Sequence, residues 1–363
     1  MLANQAGLHP LSGIGAVIIN HDSGGTVLGV IRSLLEQDLP PESILVVDNK
    51  SQDGSPEQVR ASFPEVRLIV LQKNTGPSGA RNIGLSHVTS ELVLLIDDDV
   101  YLAKHALQTL IQAQQETEAV VVVPRLVYYP EADRIQSDGA QIHMTGTLRV
   151  RHADQSMNSC PAKQIQTEAF IGACLLVHRQ TLIAMAGFDP DYFFYFEDLE
   201  LSYRLSSLGH KIVCAAQALA YHDRGKGTPG LSYRGSGSYP RQRAYYVIRN
   251  RWLTIALHFQ PRTLMILSPM LALYELALFI GALSRGWIVE WFKASFWMLK
   301  NAALVCARRT RWQRLRKVPD RAILSAGPLP FAPGVVQSRI TQLSVRALER
   351  VLNRYWLVAR RWL

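Results

Sequence analysis

Apolar positions in the first hundred residues fall into two alternating patterns. Short continuous runs, AVIIN (16–20), SILVVDN (43–49), VRLIVLQ (66–72) and LVLLID (92–97), have the length and β-branched content of strands covered on both faces. Between them, TVLGVIRSLLEQ (26–37) and SPEQVRASF (55–63) space apolar residues at helical intervals, and PSGARNIGLSHV (77–88) reads as a loop entering a third helix. This alternation predicts a parallel sheet flanked by helices, with ligands beyond the carboxyl ends of the strands. Asn20, Asp48 and the run Asp97, Asp98, Asp99 fall at that end. From about Val120 the pattern becomes mixed. AVVVVPRLVYY and FIGACLLVHR read as strands, FEDLELSYRLSSLG as a helix stopped by Gly209, and KIVCAAQALAYH as a strand ending at His222. The Gly/Ser/Pro-rich stretch DRGKGTPGLSYRGSGSYP then predicts a loop long enough to act as a lid.

The C-terminal third changes character. TLMILSPMLALYELALFIGAL (263–283) has 21 residues and one charge, Glu275. That length spans a bilayer, but Pro269 and Glu275 favour an interfacial or re-entrant helix. RGWIVEWFKASFWMLKNAALVCARR (285–309) sets Trp287, Trp291, Phe292, Phe296 and Trp297 among cations, as at a membrane interface. KVPDRAILSAGPLPFAPG looks extended, and the basic helix SVRALERVLNRYWLVARRWL closes the chain. The net charge is +10, yet Ser284 to Leu363 holds 16 Lys/Arg against 3 Asp/Glu, or +13, which leaves −3 for the other 283 residues. Basicity is thus a C-terminal property. It suits an anionic membrane surface at the cytoplasmic face of the inner membrane, and the apolar stretch argues against nucleic acid. Cysteines 160, 174, 214 and 306 form no CxxC pair, which disfavours zinc or redox motifs and fits a reducing cytoplasm. The segment MLANQAGLHPLSGIG has no basic or long apolar region, so no signal peptide is expected. The expected organisation is a domain over 13–258, with halves at 13–119 and 120–230, membrane-associated helices over 259–309 and a basic tail over 310–363.

The candidate chemistry lies in four places. Three adjacent carboxylates after a buried strand repel one another and call for a positive partner. Strand alternation puts Asp97 and Asp99 on the same side, the arrangement for a divalent cation, Mg²⁺ or Mn²⁺, whose shell is completed by water and phosphate. On its own the run is equally a solvated acidic turn. Glu197 and Asp198 open a helix after Phe193, Phe194, Tyr195 and Phe196. They either complement its dipole or, bordered by aromatic rings, form a carboxylate base with a raised pKa. NTGPSGARNIGLS (74–86) brings Gly79, Arg81 and Asn82 to a helix start, fit for phosphate or for packing alone. It has no GK[ST] and is not a Walker loop. His222, before the Gly/Lys/Arg loop, is a structural histidine or a metal ligand.

Taken together, VIINHDS, VVDNKSQDGS, NTGPSGARNIGLS, IDDDV and FIGACLLVHRQTLIAMAGFDPDYFFYFEDLELSYRLSSLGHKI resemble the inverting family-2 glycosyltransferases, with a GT-A fold, over roughly residues 13–258. The GFD, YFED and following Leu/Arg pattern is most similar to the rhamnosyltransferase-like bacterial subgroup, and YYVIRNRWL (245–253) resembles members that work at membranes. The resemblance implies an α/β fold with a mixed, mostly parallel sheet, a nucleotide-binding half over 13–119, an acceptor half over 120–230, and C-terminal membrane-associated helices. It implies a nucleotide-sugar donor, dTDP-rhamnose or a UDP-sugar, and a saccharide or lipid-linked acceptor in cell-envelope glycan synthesis. Position by position, Asp48 would recognise the nucleobase, with Asn20, Gly79, Arg81 and Asn82 also on the donor side. Asp97 would lie near the ribose, Asp99 would hold the metal with His222, and Asp198 would be the base with Glu197 beside it. Two positions depart from the pattern: His21 replaces the usual Tyr or Phe, and Asp98, grouped with the donor-binding residues, has no clear role by resemblance. A nucleotidyltransferase and a non-catalytic membrane-bound partner are the alternatives, the first weakened by the lack of a Gly-rich Arg/Lys signature after AVIIN.

Overall fold

The computed structural model describes residues 13–223, 239–331 and 338–363; positions 224–238 of the expected lid lie outside the described residues. The N-terminal half alternates as the pattern requires: β1 (Ile14–Asn20), α1 (Thr26–Leu35), β2 (Ser43–Asp48), α2 (Ser55–Ser62), β3 (Arg67–Val70), α3 (Gly76–His87) and β4 (Leu92–Asp97). These four strands are parallel in the order β4-β1-β2-β3. Asn20 lies opposite Asp48, and Ile19 opposite Asp97, so the polar strand ends share one rim. Alternation sorts the core. Ala16 and Ile18 join the cluster that includes α1 and α2, whereas Val17 and Ile19 join the one beneath α3.

One N-terminal element differs from its expectation. Helix α3 begins at Gly76, so Gly79, Arg81 and Asn82 are helix residues and not loop. Gly76 takes φ +69° and Pro77 stands in the first turn, which together start a helix abruptly. A Cβ on Gly84 would lie 2.3 Å from Val17 Cγ1, so that glycine lets α3 settle onto β1.

The second half contains β5 (Val100–Leu102), α4 (Ala106–Thr117), β6 (Val121–Tyr129), β7 (Ile135–Ser137), β8 (Ala140–His143), β9 (Thr147–Val150), β10 (Gln164–Thr167), β11 (Cys174–His178), α5 (Arg179–Ala184), α6 (Glu197–Ser207) and β12 (Ile212–Asp223). The large sheet runs β10-β12-β6-β11-β4-β1-β2-β3. It is mixed: β11 runs antiparallel to both β4 and β6, and β10 to β12, while β12 and β6 are parallel. The short β5 pairs antiparallel with β12 and sets His222 across from Val100, beside the end of the acidic run.

The C-terminal region folds onto this domain as α7 (Arg241–His258), α8 (Pro261–Ser284), α9 (Ile288–Lys300), α10 (Ala302–Leu315), α11 (Asp320–Ile323), β13 (Leu324–Ser325) and α12 (Arg339–Ala359). The segment expected as a basic tail packs closely. β13 adds to the small β8-β9 sheet, and Leu352 and Trp356 of α12 share a core with Leu267 and Met270 of α8 and with Ile142 and Met144. Arg316 of this segment is committed internally, paired with Asp320 at 2.7 Å. Arg309 donates to Ala256 O, Gln313 to Leu257 O and His258 O, and Arg316 to His258 O, so α10 caps the carbonyl end of α7. Glu275, the single charge of the apolar stretch, accepts from Arg251 at 2.6 Å and from Trp252 Nε1 at 3.0 Å.

Candidate active site

The carboxylate rim is organised around one buried cation. Arg81 is 2% exposed. Its guanidinium donates to Asp97 Oδ1 (2.8 Å), Glu197 Oε1 (3.2 Å) and Gly172 O (2.9 Å), and lies 5.2 Å from the centre of the Phe188 ring. A charge so desolvated persists only with such partners. The predicted carboxylates of β4 and α6, a hundred residues apart in the chain, therefore meet through α3.

The two α6 carboxylates face different ways. Glu197 is buried against Arg81, and burial followed by the Asp198 charge pushes its pKa up to about 7 despite Arg81. Asp198 stands at the edge, only half-buried, and accepts from Gly172 N at 3.2 Å and Leu199 N at 2.8 Å. Burial raises its pKa too, and those amides hold the rise back. The turn before them is conformationally costly: Phe193, Tyr195 and Phe196 all have positive φ. It is held from α7, where Asn250 Nδ2 donates to Tyr192 O (2.9 Å), Phe194 O (3.0 Å) and Tyr195 O (2.6 Å) and Arg249 reaches Asp191 O and Tyr192 O. A Cβ on Gly76 would lie 2.1 Å from Phe193 O, so this glycine permits close approach of the turn.

The three aspartates separate. Asp97 faces Arg81, Asp98 Oδ2 accepts from His21 N at 2.7 Å, and Asp99 Oδ1 lies 3.3 Å from His222 Nε2. Asp98, without a role by resemblance, thus fixes the exit of β1. Its pKa is raised well above the ordinary carboxylate value, by burial first and then by the Asp99 charge. The His222 ring contacts Gln136 Oε1 through Nδ1 at 2.9 Å. When Nδ1 is the donor, Nε2 presents a lone pair to the Asp99 carboxylate, and two acceptors at that separation require a proton or cation between them. Among the described residues no three His, Cys, Asp or Glu side chains form a metal cluster. The Asp99–His222 pair nevertheless fits a divalent cation that takes one or two protein ligands and completes its shell from phosphate and water.

Several expected donor-side residues are engaged within the protein. Asp48 is fully buried and accepts from Asn20 Nδ2 (2.7 Å), Ser51 Oγ (2.5 Å) and Ser51 N (3.1 Å). Asn20, also buried, further donates to Ser55 Oγ at 2.9 Å. Asn82 uses both ends of its amide on the Phe188 backbone, donating to its oxygen at 2.7 Å and accepting from its nitrogen at 2.8 Å. Gly79 packs against Thr75. The pattern had not singled out Asn250, Arg249 or Gly172; the RNR stretch in YYVIRNRWL was visible, but its target turn lies more than fifty residues away.

Loss of the central cation has a calculable sign. Glu197 has a folded pKa above its ordinary value, so its contribution to stability is full at low pH and lost as pH rises through about 7. Removing Arg81 raises that pKa further and increases the penalty for ionisation. Arg81→Gln is therefore expected to lose roughly 3–5 kcal/mol at pH 8 and distinctly less at pH 5. Urea unfolding at both pH values reads the difference, and equal losses would show that the guanidinium does not carry the coupling.

Residues 16–172 match the family described as Glycosyl transferase family 2. The chain is 31% identical over 129 residues to the succinoglycan biosynthesis protein ExoO of Rhizobium meliloti, an alignment covering 35% of each chain. It is 25% identical over 235 residues, 58% of this chain and 76% of the relative, to an N-acetylglucosaminyl-diphospho-decaprenol L-rhamnosyltransferase of Mycobacterium tuberculosis. In three dimensions it is similar to GalNAc-T7, solved with UDP, GalNAc and Mn²⁺ (TM-score 0.54, 15% identity, 70% of this chain and 49% of that one). It is also similar to S. aureus TarS 1-349 in complex with UDP-GlcNAc (TM-score 0.51, 17% identity, 94% and 92% covered). The chain spans about a third of ExoO and three quarters of the mycobacterial relative. With its mixed sheet and flanking helices, the chain has the GT-A fold of these neighbours, and its residues 16–172 are those of a glycosyl transferase family 2 region.

Proposed function

We propose that this protein is a metal-dependent inverting glycosyltransferase that moves a sugar from a nucleoside diphosphate donor to a hydroxyl of a saccharide or lipid-linked acceptor at the cytoplasmic face of the inner membrane. The observation that carries this reading is the Arg81 junction, which sets the donor-end carboxylate Asp97 and the α6 pair around one point. The UDP and UDP-GlcNAc of the fold neighbours support the donor class, and the mycobacterial relative's name supports a lipid-linked acceptor. Rhamnose is the sugar suggested by that relative.

In this mechanism Asp48 and Asn20 shape the nucleoside wall, with His21 beside them. Asp99 and His222 would hold a divalent cation, which would supply positive charge to offset that of the leaving diphosphate. Asp198 takes the proton from the acceptor hydroxyl. That oxygen bonds to the anomeric carbon from the side opposite the diphosphate, and the bond from carbon to phosphate oxygen breaks, so configuration inverts in one displacement. Glu197 keeps the local field negative, and Arg81 fixes Glu197 and Asp97.

The reading extends to the membrane. Helix α8 is 24 residues long with a mean hydropathy of 1.9, by length and composition sufficient to cross a membrane. It packs along its length through Thr263, Leu267, Met270, Tyr274 and Ala282, and turns Met265, Leu276 and Ile280 outward. Helix α9 exposes Val289, Phe292, Phe296 and Leu299. One packed face and one exposed apolar face suit a helix lying in the interface, with the C-terminal cations toward anionic headgroups.

Three measurements test these assignments. With a panel of nucleotide-sugars and Mn²⁺ or Mg²⁺ in mild detergent, one donor is expected to give metal-dependent nucleoside diphosphate release that Asp99→Asn abolishes. Asp198→Asn should still bind that donor but transfer ~100-fold or more slowly; no donor bound with any metal sinks the catalytic reading. Because Glu197 is pushed up to about 7 and Asp198 is also raised, kcat/KM is expected to fall on the acid side near neutrality. Glu197→Gln should move that limb to lower pH, and a limb at about pH 4, unmoved by the substitution, counts against the pair. In vesicle flotation, Phe292→Ser with Phe296→Ser should release the protein from anionic vesicles, and wild-type protein that never floats would remove the membrane from the proposal.

A further inference from the structure

The small sheet carries a basic cleft of its own. A space of about 420 Å³ opens among β8, β9, β13, α11 and the C-terminal end of α12, a size that suits a small molecule. Its wall holds Arg149, Arg321 and Arg360, with Glu168 as the one acid. Register sets Arg149 opposite Gln141, and Arg149 Nη2 donates to Gln141 Oε1. Arg149 Nε is buried and has no hydrogen-bond partner among the described residues. Gly327 lies against this guanidinium: at φ +142°, a Cβ there would come 2.8 Å from Nη1, so the glycine leaves the room that the group occupies.

The charges of the cleft do not balance. Glu168 Oε2 already accepts from Arg151 Nη2 at 3.1 Å. Burial first, and then the Arg151 charge, hold Arg149 below the usual guanidinium range, with Glu168 opposing. Arg321 and Arg360 are exposed, and neither guanidinium has a hydrogen-bond or ion-pair partner among the described residues. Arg151 included, four guanidinium groups meet one carboxylate. Like charges gathered in this way favour an anion between them, and a buried N–H without an acceptor is costly. A phosphate monoester answers both, because its three outer oxygens accept from several guanidinium forks at once. Leu357 lines the same cleft yet is 57% exposed, so the substituent of the ester meets an apolar surface. The cleft belongs to the far end of α6 from Asp198: Ser206, in the last turn of that helix, donates to Glu168 O at 2.8 Å.

We propose that Arg149, Arg321 and Arg360 form a second ligand site, separate from the candidate active site, that takes the phosphate of a phosphomonoester carried by a lipid or by a small soluble molecule. This goes beyond the proposed function and does not depend on it.

The test is calorimetric titration of the full chain in mild detergent with dihexanoyl phosphatidate, glycerol 3-phosphate and dihexanoylglycerol. At least one phosphate probe is expected to bind about ten-fold tighter than dihexanoylglycerol, or more. Phosphatidate about ten-fold tighter than glycerol 3-phosphate supports the site with a lipid as the source; glycerol 3-phosphate at least as tight supports it with a soluble ester. Arg321→Gln with Arg360→Gln, both exposed positions, should weaken the phosphate probe about ten-fold, the scale of one charge-assisted hydrogen bond, with the thermal unfolding midpoint unchanged. Arg149→Gln should weaken it likewise. Arg346→Gln with Arg350→Gln takes the same charge from exposed positions of α12 outside the cleft and should change affinity less than about three-fold. Binding of neither phosphate probe, or of dihexanoylglycerol as tightly as phosphatidate, overturns the proposal. So does an equal loss in the two double variants, which would make general surface charge the whole effect. Affinity kept in Arg321→Gln with Arg360→Gln overturns it too, since the phosphate would then lie elsewhere, the donor site included.

Discussion

The arrangement of the site depends on a guanidinium taken out of water. Arg81 reaches Asp97, Glu197 and the Gly172 carbonyl from a helix on one face of the sheet, and it lies against Phe188. A desolvated cation of this kind is held by geometry on every side, because each missing partner would leave charge or donor capacity uncompensated. The junction therefore fixes three distant segments relative to one another. It also leaves a local excess of negative charge: Arg81 faces two carboxylates, with Asp198 beside one and Asp98 and Asp99 beyond the other. Such a rim attracts cations, which is the physical basis for assigning Asp99 and His222 to a metal.

The other dependence runs through α7. Three non-glycine residues in left-handed conformation do not persist in a short turn without outside support, and Asn250 supplies it with one amide group donating to the carbonyls of Tyr192, Phe194 and Tyr195. The next residue, Arg251, binds Thr145 O at 2.8 Å and Glu275 on α8. Adjacent positions of one helix thus hold the turn before the α6 carboxylates and the helix that would face lipid. The C-terminal helices are part of the apparatus that shapes the site.

The strands and their polar ends were legible in the sequence because both follow from short-range pattern: period-two burial sets the strands, and parallel register carries Asn20, Asp48 and Asp97 to a common edge. The acidic run and the α6 pair were legible for a related reason, since a carboxylate after a buried strand or an aromatic run is unusual wherever it occurs. Partnerships were not legible. Asn82 looked like a donor contact but binds Phe188, 106 residues away. Asp98, grouped with the donor contacts, accepts from the His21 backbone instead. No local pattern encodes which side chains meet across a sheet. The expected tail shows the same limit for charge: a count of cations cannot distinguish Arg316, engaged with Asp320 and a helix end, from one facing solvent.

The Arg251–Glu275 pair also constrains how α8 would meet a bilayer under the proposed function. Glu275 lies well inside the helix, and the guanidinium that neutralises it is anchored to the turn after β8 through Thr145 O. Were α8 to cross the membrane in this conformation, that turn and the small sheet behind it would be carried toward the hydrocarbon, where irregular backbone exposed to lipid is not tolerated. Were α8 instead to leave the domain, Arg251, only 3% exposed, would lose its carboxylate. Lying in the interface avoids both costs. In that arrangement the ion pair would stay on the protein side, and Met265, Leu276 and Ile280 would face the lipid.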